Sequence, residues 1–223
     1  MRNDKHIAIK LRRRGESYSK ISEELNVPKS TLSNWFSNMD WSKSIKFDLT
    51  KKANYIAQKR LRAYNKKQKI FWEAWREQAR QQARDNFSKL KSNPLFISGI
   101  MIYWGEGDSK IKNSHVRISN TNSDMIRLFN LFLRIICKVP KEKIKMAMIL
   151  YPDLNENECK NFWSKTSGIS QNQFTKTQFI RGRHPTKRLT NGIAIVYFSS
   201  RELKEKIFIW IELFQKQFPL VRV

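Results

Sequence analysis

The stretch Phe96-Ile97-Ser98-Gly99-Ile100-Met101-Ile102-Tyr103-Trp104-Gly105-Glu106-Gly107 decides how the rest of the chain folds around it. It is apolar except for the small residues Ser98, Gly99 and Gly105, and it stops at a carboxylate and a glycine. Pro94 ahead of it suits a first helical turn, where a missing N–H costs no intrahelical bond. Gly107 suits the position just past a helix end, which often takes a positive φ. The stretch is therefore expected to be a short buried helix that delivers Glu106 to its own C-terminus. Its small residues let a neighbouring backbone approach, from the same chain or from a second copy.

Downstream, Lys110-Ile111-Lys112 leads through an Asn113-Ser114 turn into His115-Val116-Arg117-Ile118-Ser119-Asn120, whose alternation predicts a half-buried strand with a basic outer face. Ser123 to Lys138 reads as an amphipathic helix, with Met125, Ile126, Phe129, Phe132, Leu133 and Ile136 inward. Lys145 to Tyr151 reads as a strand, and Asn155 to Ser167 as a helix stopped by Gly168. Two more strands are expected over Gln173 to Ile180 and Gly192 to Phe198, and a closing helix over Arg201 to Phe218. Such an order fits an α+β domain in which helices cover one face of an antiparallel sheet. The outer sheet positions are Lys110, Lys112, His115, Arg117, Lys176 and Gln178. Arg181, Arg183, His184, Lys187 and Arg188 add a basic loop suited to clamping a phosphate backbone, where Gly182 permits close approach.

Upstream, residues 4–38 carry three short helical patterns, and the apolar set Ile21, Leu25, Val27, Leu32 and Trp35 has the spacing of a helix-turn-helix core. Gly15 stops the first helix, and Ser17 is placed to cap the second. Lys10, Arg12, Arg13 and Arg14 add positive charge. The string resembles the helix-turn-helix of resolvases, invertases and many bacterial regulators. That resemblance places Lys29, Ser30, Thr31, Ser33 and Asn34 against DNA in the major groove, because the second helix of the pair presents its N-terminal residues to base edges.

Between the two units, residues 51–91 contain no proline or glycine and carry thirteen Lys or Arg against three acids. One helix of that length spans about 60 Å, with a break near Asn65 as the alternative. Its basic side favours phosphate contact. Ile56, Tyr64, Phe71, Trp72, Trp75, Ala79, Ala83, Phe87 and Leu90 form a partial apolar stripe that packs on the C-terminal domain or pairs with a second copy. The domains are accordingly expected at 1–40, 41–92 and 93–223.

Composition agrees with a polyanionic partner. The 223 residues hold 44 Lys and Arg against 19 Asp and Glu, a formal net charge of +25. No run of about 18 apolar residues and no leader is visible, so a cytoplasmic protein with no membrane partner is expected. Cys137 and Cys159 make no disulfide framework or metal knuckle and read as small buried hydrophobes.

The Gly99–Gly107 string resembles the LAGLIDADG motif of homing endonucleases, with Glu106 on its final acidic position and Gly107 on its terminal glycine. It departs in having Glu for the usual Asp, and Trp104 where the first Asp stands. Val116–Asn120, Leu150–Asp153 and Asn161–Trp163 also look like a group of prokaryotic proteins that join a helix-turn-helix to one LAGLIDADG-like domain, whose core runs α-β-β-α-β-β-α. The resemblance implies a homodimer through the 95–107 helix on double-stranded DNA. It further implies Mg²⁺ held by Glu106 of each copy, with Lys110 or Lys112 stabilising the transition state of phosphodiester cleavage. A transcription regulator without catalysis, using the same two DNA-reading units, is the alternative. A membrane-surface or RNA-binding protein is a weaker third reading, since neither a lipid-type helix nor an RNP-type string is present.

Overall fold

The computed structural model describes residues 4–180 and 189–218. The chain forms two compact units, Met1–Trp72 and Glu73–Val223. The basic loop Arg181, Arg183, Lys187 and Arg188 lies outside the described residues.

The N-terminal unit is built from α1 (Asp4–Arg13), α2 (Tyr18–Leu25), α3 (Lys29–Phe36) and the first part of α4 (Asp40–Leu90). Gly15, at φ 88°, turns the chain out of α1. Ser17 caps α2 by accepting the Lys20 N–H at 3.2 Å, and Asn26 closes it in the left-handed region at φ 51°. Ala8, Leu11, Ile21, Val27, Leu32 and Phe36 are buried together as its core. Arg12, read from sequence as a surface charge, is instead 1 % exposed. Its guanidinium donates to Ser42 Oγ, Ser42 O and Glu16 O at 2.8–3.0 Å and lies over the Tyr18 ring. It therefore ties α1 to the start of α4 and is withdrawn from the surface charge. Burial lowers its pKa, against an opposing effect of Tyr18.

α4 is one unbroken helix through Asn65. The stripe expected along it divides in two. Ala79, Ala83 and Phe87 are buried in the core of the C-terminal unit, and Trp210 Nε1 donates to Ala83 O at 3.1 Å. Ile56, Tyr64, Phe71 and Trp72 remain exposed.

The rest of the C-terminal unit comprises α5 (Pro94–Glu106), β1 (His115–Asn120), α6 (Ser123–Leu131), β2 (Lys145–Leu150), α7 (Glu156–Ser167), β3 (Gln178–Phe179), β4 (Ile193–Ser199) and α8 (Arg201–Gln215). The sheet order is β1-β4-β2-β3. β4 pairs antiparallel with both β1 and β2, but β3 pairs parallel with β2. The expected all-antiparallel sheet is corrected there, because the chain crosses through α7 and returns in the same direction. The strand expected over 173–180 shrinks to Gln178–Phe179, since 171–173 forms a 3₁₀ turn. A second strand before α6, as the α-β-β-α order implied, is reduced to one bridge between Gly107 and Ile118.

Alternation decides the faces. Val116, Ile118, Met146, Met148, Leu150, Ala194 and Val196 point into a core shared with Phe96, Ile100, Tyr103, Phe129, Phe132, Trp163, Ile207 and Trp210. Asn93, Asn122 and Asn155 cap α5, α6 and α7 with their side-chain oxygens. Gly168 ends α7 at φ 74°. The helix expected to run to Lys138 passes into a π-helical turn over Phe132–Ile136. Cys137 and Cys159 are free, half-buried and buried respectively.

Gly99 is what lets α5 sit in this core. A Cβ there would lie 2.1 Å from Phe132 Cγ, so the close neighbour is a ring of the same chain. Gly99→Ala should destabilise the C-terminal unit by about 2 kcal/mol through overpacking. Urea unfolding checks this, and Gly99→Ala with Phe132→Leu should lose less than the sum of the two single changes.

Candidate nucleic-acid interface and acidic corner

Two surfaces carry the residues singled out from sequence. The first is the outer face of α3. Leu32 and Phe36 are buried and Trp35 half-buried, which turns Lys29, Ser30, Ser33 and Asn34 to solvent. These four share one side of the helix at i, i+1, i+4 and i+5. Thr31 is half-buried at the margin of that face. Pro28 precedes α3 and offers no side-chain cap, so the first N–H groups of the helix have no side-chain acceptor from it.

The second is the uncovered face of the sheet. His115, Arg117 and Ser119 project from β1 as exposed residues, matching the alternation seen in sequence. Register aligns Arg117, Tyr197 and Lys145 in one row across β1, β4 and β2. His115 stands beside Ser199, with Nδ1 and Oγ 2.8 Å apart, and edge-on to the Tyr197 ring. Gln178 pairs with Ile149 at the other edge, and Lys176 is exposed just before β3. Tyr197 and Lys145 were missed from sequence; the strict alternation of 145–150 and 193–197 would have placed both on this face.

Glu106 is the last residue of α5 and Lys110 and Lys112 lie in the loop that follows, and all three are exposed. Lys110 and Lys112 are turn residues and not strand residues. The Glu106 carboxylate makes no hydrogen bond or ion pair among the described residues. Its neighbour Asp108 is the opposite case. Asp108 Oδ1 accepts the Lys110 N–H at 2.9 Å, and Oδ2 accepts from Asn113 Nδ2 at 2.9 Å. Arg117 Nε stands 3.6 Å and Lys204 Nζ 3.7 Å from Oδ2. Lys204 is fully buried and donates to Lys110 O at 2.8 Å. Tyr103 OH donates to Asp108 O, and the Asp108 N–H to Arg117 O. The loop that follows Glu106 is thus pinned to α5, β1 and α8 at once.

Gly107 serves this corner through size. Its φ is −86°, so the expected positive φ is corrected. A Cβ at 107 would meet Tyr103 O at 2.3 Å, while the Gly107 N–H donates to that oxygen at 2.8 Å. Next to the corner, Glu205 is 1 % exposed and clasped by Arg80 and Arg201 at 2.7–2.9 Å. The charge burial in α8 was missed from sequence, because adjacent Lys204 and Glu205 in a helix carry no local sign of it.

The Asn113 amide and the Lys110 N–H hold Asp108 below the ordinary carboxylate range, with Lys204 and Arg117 adding to the effect against some desolvation. Burial lowers the Lys204 pKa, against the pull of Asp108. A carboxylate with a depressed folded pKa adds stability above its unfolded value and loses it as pH falls through the folded one. Asp108→Asn should therefore cost about 2 kcal/mol near neutral pH. The difference from the parent should shrink steadily below the ordinary value of 3.8, measured by urea unfolding across pH.

Comparison with known protein families matches residues 4–40 to a homeodomain-like domain. No curated protein and no solved structure matches the chain. The N-terminal unit thus carries a homeodomain-like helix-turn-helix, a class of fold that binds DNA, and no helix among the described residues is long and apolar enough to cross a membrane.

Proposed function

We propose that the chain is a sequence-specific double-stranded DNA-binding protein that reads base edges with α3 and meets phosphates with the open sheet face. The exposed set Lys29, Ser30, Ser33 and Asn34 on a homeodomain-like helix carries this reading. Ser and Lys suit phosphate or guanine, and Asn suits adenine through two hydrogen bonds. His115, Arg117, Lys145, Lys176 and Gln178 supply positioning contacts on the sheet, to which the loop residues Arg181, Arg183, Lys187 and Arg188 add charge. Selection from a randomised duplex library tests it. The parent protein should enrich one site, and Asn34→Ala should relax one base position at a cost of about 1–3 kcal/mol. Enrichment of no site, or an unchanged site in Lys29→Ala/Asn34→Ala, would overturn base reading by α3.

A second reading, DNA cutting of the LAGLIDADG type by a homodimer, is favoured by the exposed Glu106 carboxylate at the end of α5, ahead of the pinned loop that carries Lys110 and Lys112. The donors of one chain do not fit Mg²⁺. Among the described residues no cluster of three or more His, Cys, Asp or Glu could hold a metal, and both oxygens of Asp108 are engaged. Cutting would need Glu106 of a second copy. Ser98, Met101, Ile102 and Gly105 offer a half-exposed to exposed face of α5 at i, i+3, i+4 and i+7 for such a copy, with open space above Gly105. Incubating the enriched duplex with Mg²⁺ or Mn²⁺ tests it. Cuts that vanish in Glu106→Gln while binding persists support a nuclease, and selective binding with no cuts under either metal leaves the regulator reading.

A further inference from the structure

The N-terminal unit holds a charged surface that the helix-turn-helix does not use. Between residues 43 and 72, α4 carries ten Lys or Arg and one acid, Asp48. Lys52, Tyr55, Lys59, Arg62, Lys66 and Lys69 follow one another at steps of three and four, so they line one side of the helix. All six are exposed. None of the five cations makes an ion pair among the described residues; the flanking pairs on the helix are Lys43 with Asp40 and Arg76 with Glu73. Leu61, Tyr64 and Phe71 project from the opposite side, at successive angles of about 100° per residue. From Lys52 to Lys69 the stripe rises about 26 Å at 1.5 Å per residue. Five like charges in a row repel one another, and a second copy of the same stripe would add to that repulsion. A polyanion relieves it.

We propose that this stripe is a further nucleic-acid contact, a sequence-independent surface that tracks the phosphates of double-stranded DNA. A duplex presents a charge about every 1.7 Å of its axis, so each cation of the stripe finds a phosphate without regard to sequence. Tyr55, 68 % exposed among the cations, adds a hydroxyl donor for a phosphate oxygen. Duplex DNA is favoured over an anionic lipid surface because the same unit carries the helix-turn-helix, and Arg12 fixes the start of α4 to α1. The inference rests on the DNA-binding reading of the chain but not on base recognition by α3.

The test uses the full chain with Lys52, Lys59, Arg62, Lys66 and Lys69 changed to Gln, all together and as the two halves Lys52/Lys59 and Arg62/Lys66/Lys69. Binding to a duplex of arbitrary sequence is measured between 50 and 300 mM salt (on the order of the range over which counterion release is read). Each lost phosphate contact should flatten the slope of log K against log salt by about 0.9, so the change at all five residues should flatten it by about 4.5. Each half should give its share. Lys43, Lys46, Arg60 and Lys67 changed to Gln, off the stripe, should flatten it by less than 1 unit, on the order of one contact. The enriched site should stay the same in every stripe variant. In a Lys29→Ala/Asn34→Ala background the stripe effect should persist even where site preference is gone, which separates this inference from base reading by α3. Equal effects of on-stripe and off-stripe changes would overturn it. So would an unchanged slope with helical content intact, or loss of binding to phosphatidylserine vesicles without loss of binding to duplex.

Discussion

The Lys204 ammonium reaches the Lys110 carbonyl and the Asp108 carboxylate from a position with no solvent exposure. A buried cation is costly unless hydrogen-bonded and paired, so α8 cannot settle into place without the turn that follows α5. That turn in turn depends on Asp108, whose two oxygens bind the Lys110 N–H and Asn113. Arg117 joins from β1. Three elements distant in sequence are thus brought together by one carboxylate and one ammonium. The orientation of Glu106, immediately before Gly107, follows from that junction.

The N-terminal unit solves a related problem with different chemistry. Arg12 is buried without a carboxylate and is satisfied by two backbone carbonyls, a hydroxyl and an aromatic face. Its work is mechanical, holding α1 to α4, and the exposed polar set of α3 is displayed by the packing that results. On the proposed reading, recognition rests on Lys29, Ser30, Ser33 and Asn34, exposed on a helix whose seat this packing fixes.

The local features of this chain were legible because their causes are local. The limits of α3 and β1 follow from Pro28 and from strict alternation over 115–119; Asn155 and Gly168 mark the ends of α7 through cap chemistry. The apolar content of 96–103 was enough to place α5 in the core. What escaped depended on partners far along the chain. Lys204 and Glu205 lie next to each other in a helix, where any solvated pair would look the same. The parallel pairing of β3 turns on where the chain goes after α7. Gly107 was understood as a glycine of a helix end, and its real constraint is the Tyr103 carbonyl against which a methyl group could not fit. Arg12 is one of a run of basic residues, and its contacts with Ser42, Glu16 and Tyr18 set it apart from the rest.

The sheet finishes bluntly at both sides. At one, the outer edge of β1 is partly covered by Gly107 and Asp108, through the bridge to Ile118 and the Asp108 N–H on Arg117 O. At the other, β3 offers two residues. Open strands are templates on which further chains can add, and a broad uncovered sheet face is usually bordered by such strands. Here the face is open while its described borders are short or partly covered, so the platform leaves little edge on which a copy of the chain could add a strand. That leaves the platform free for a partner approaching from above.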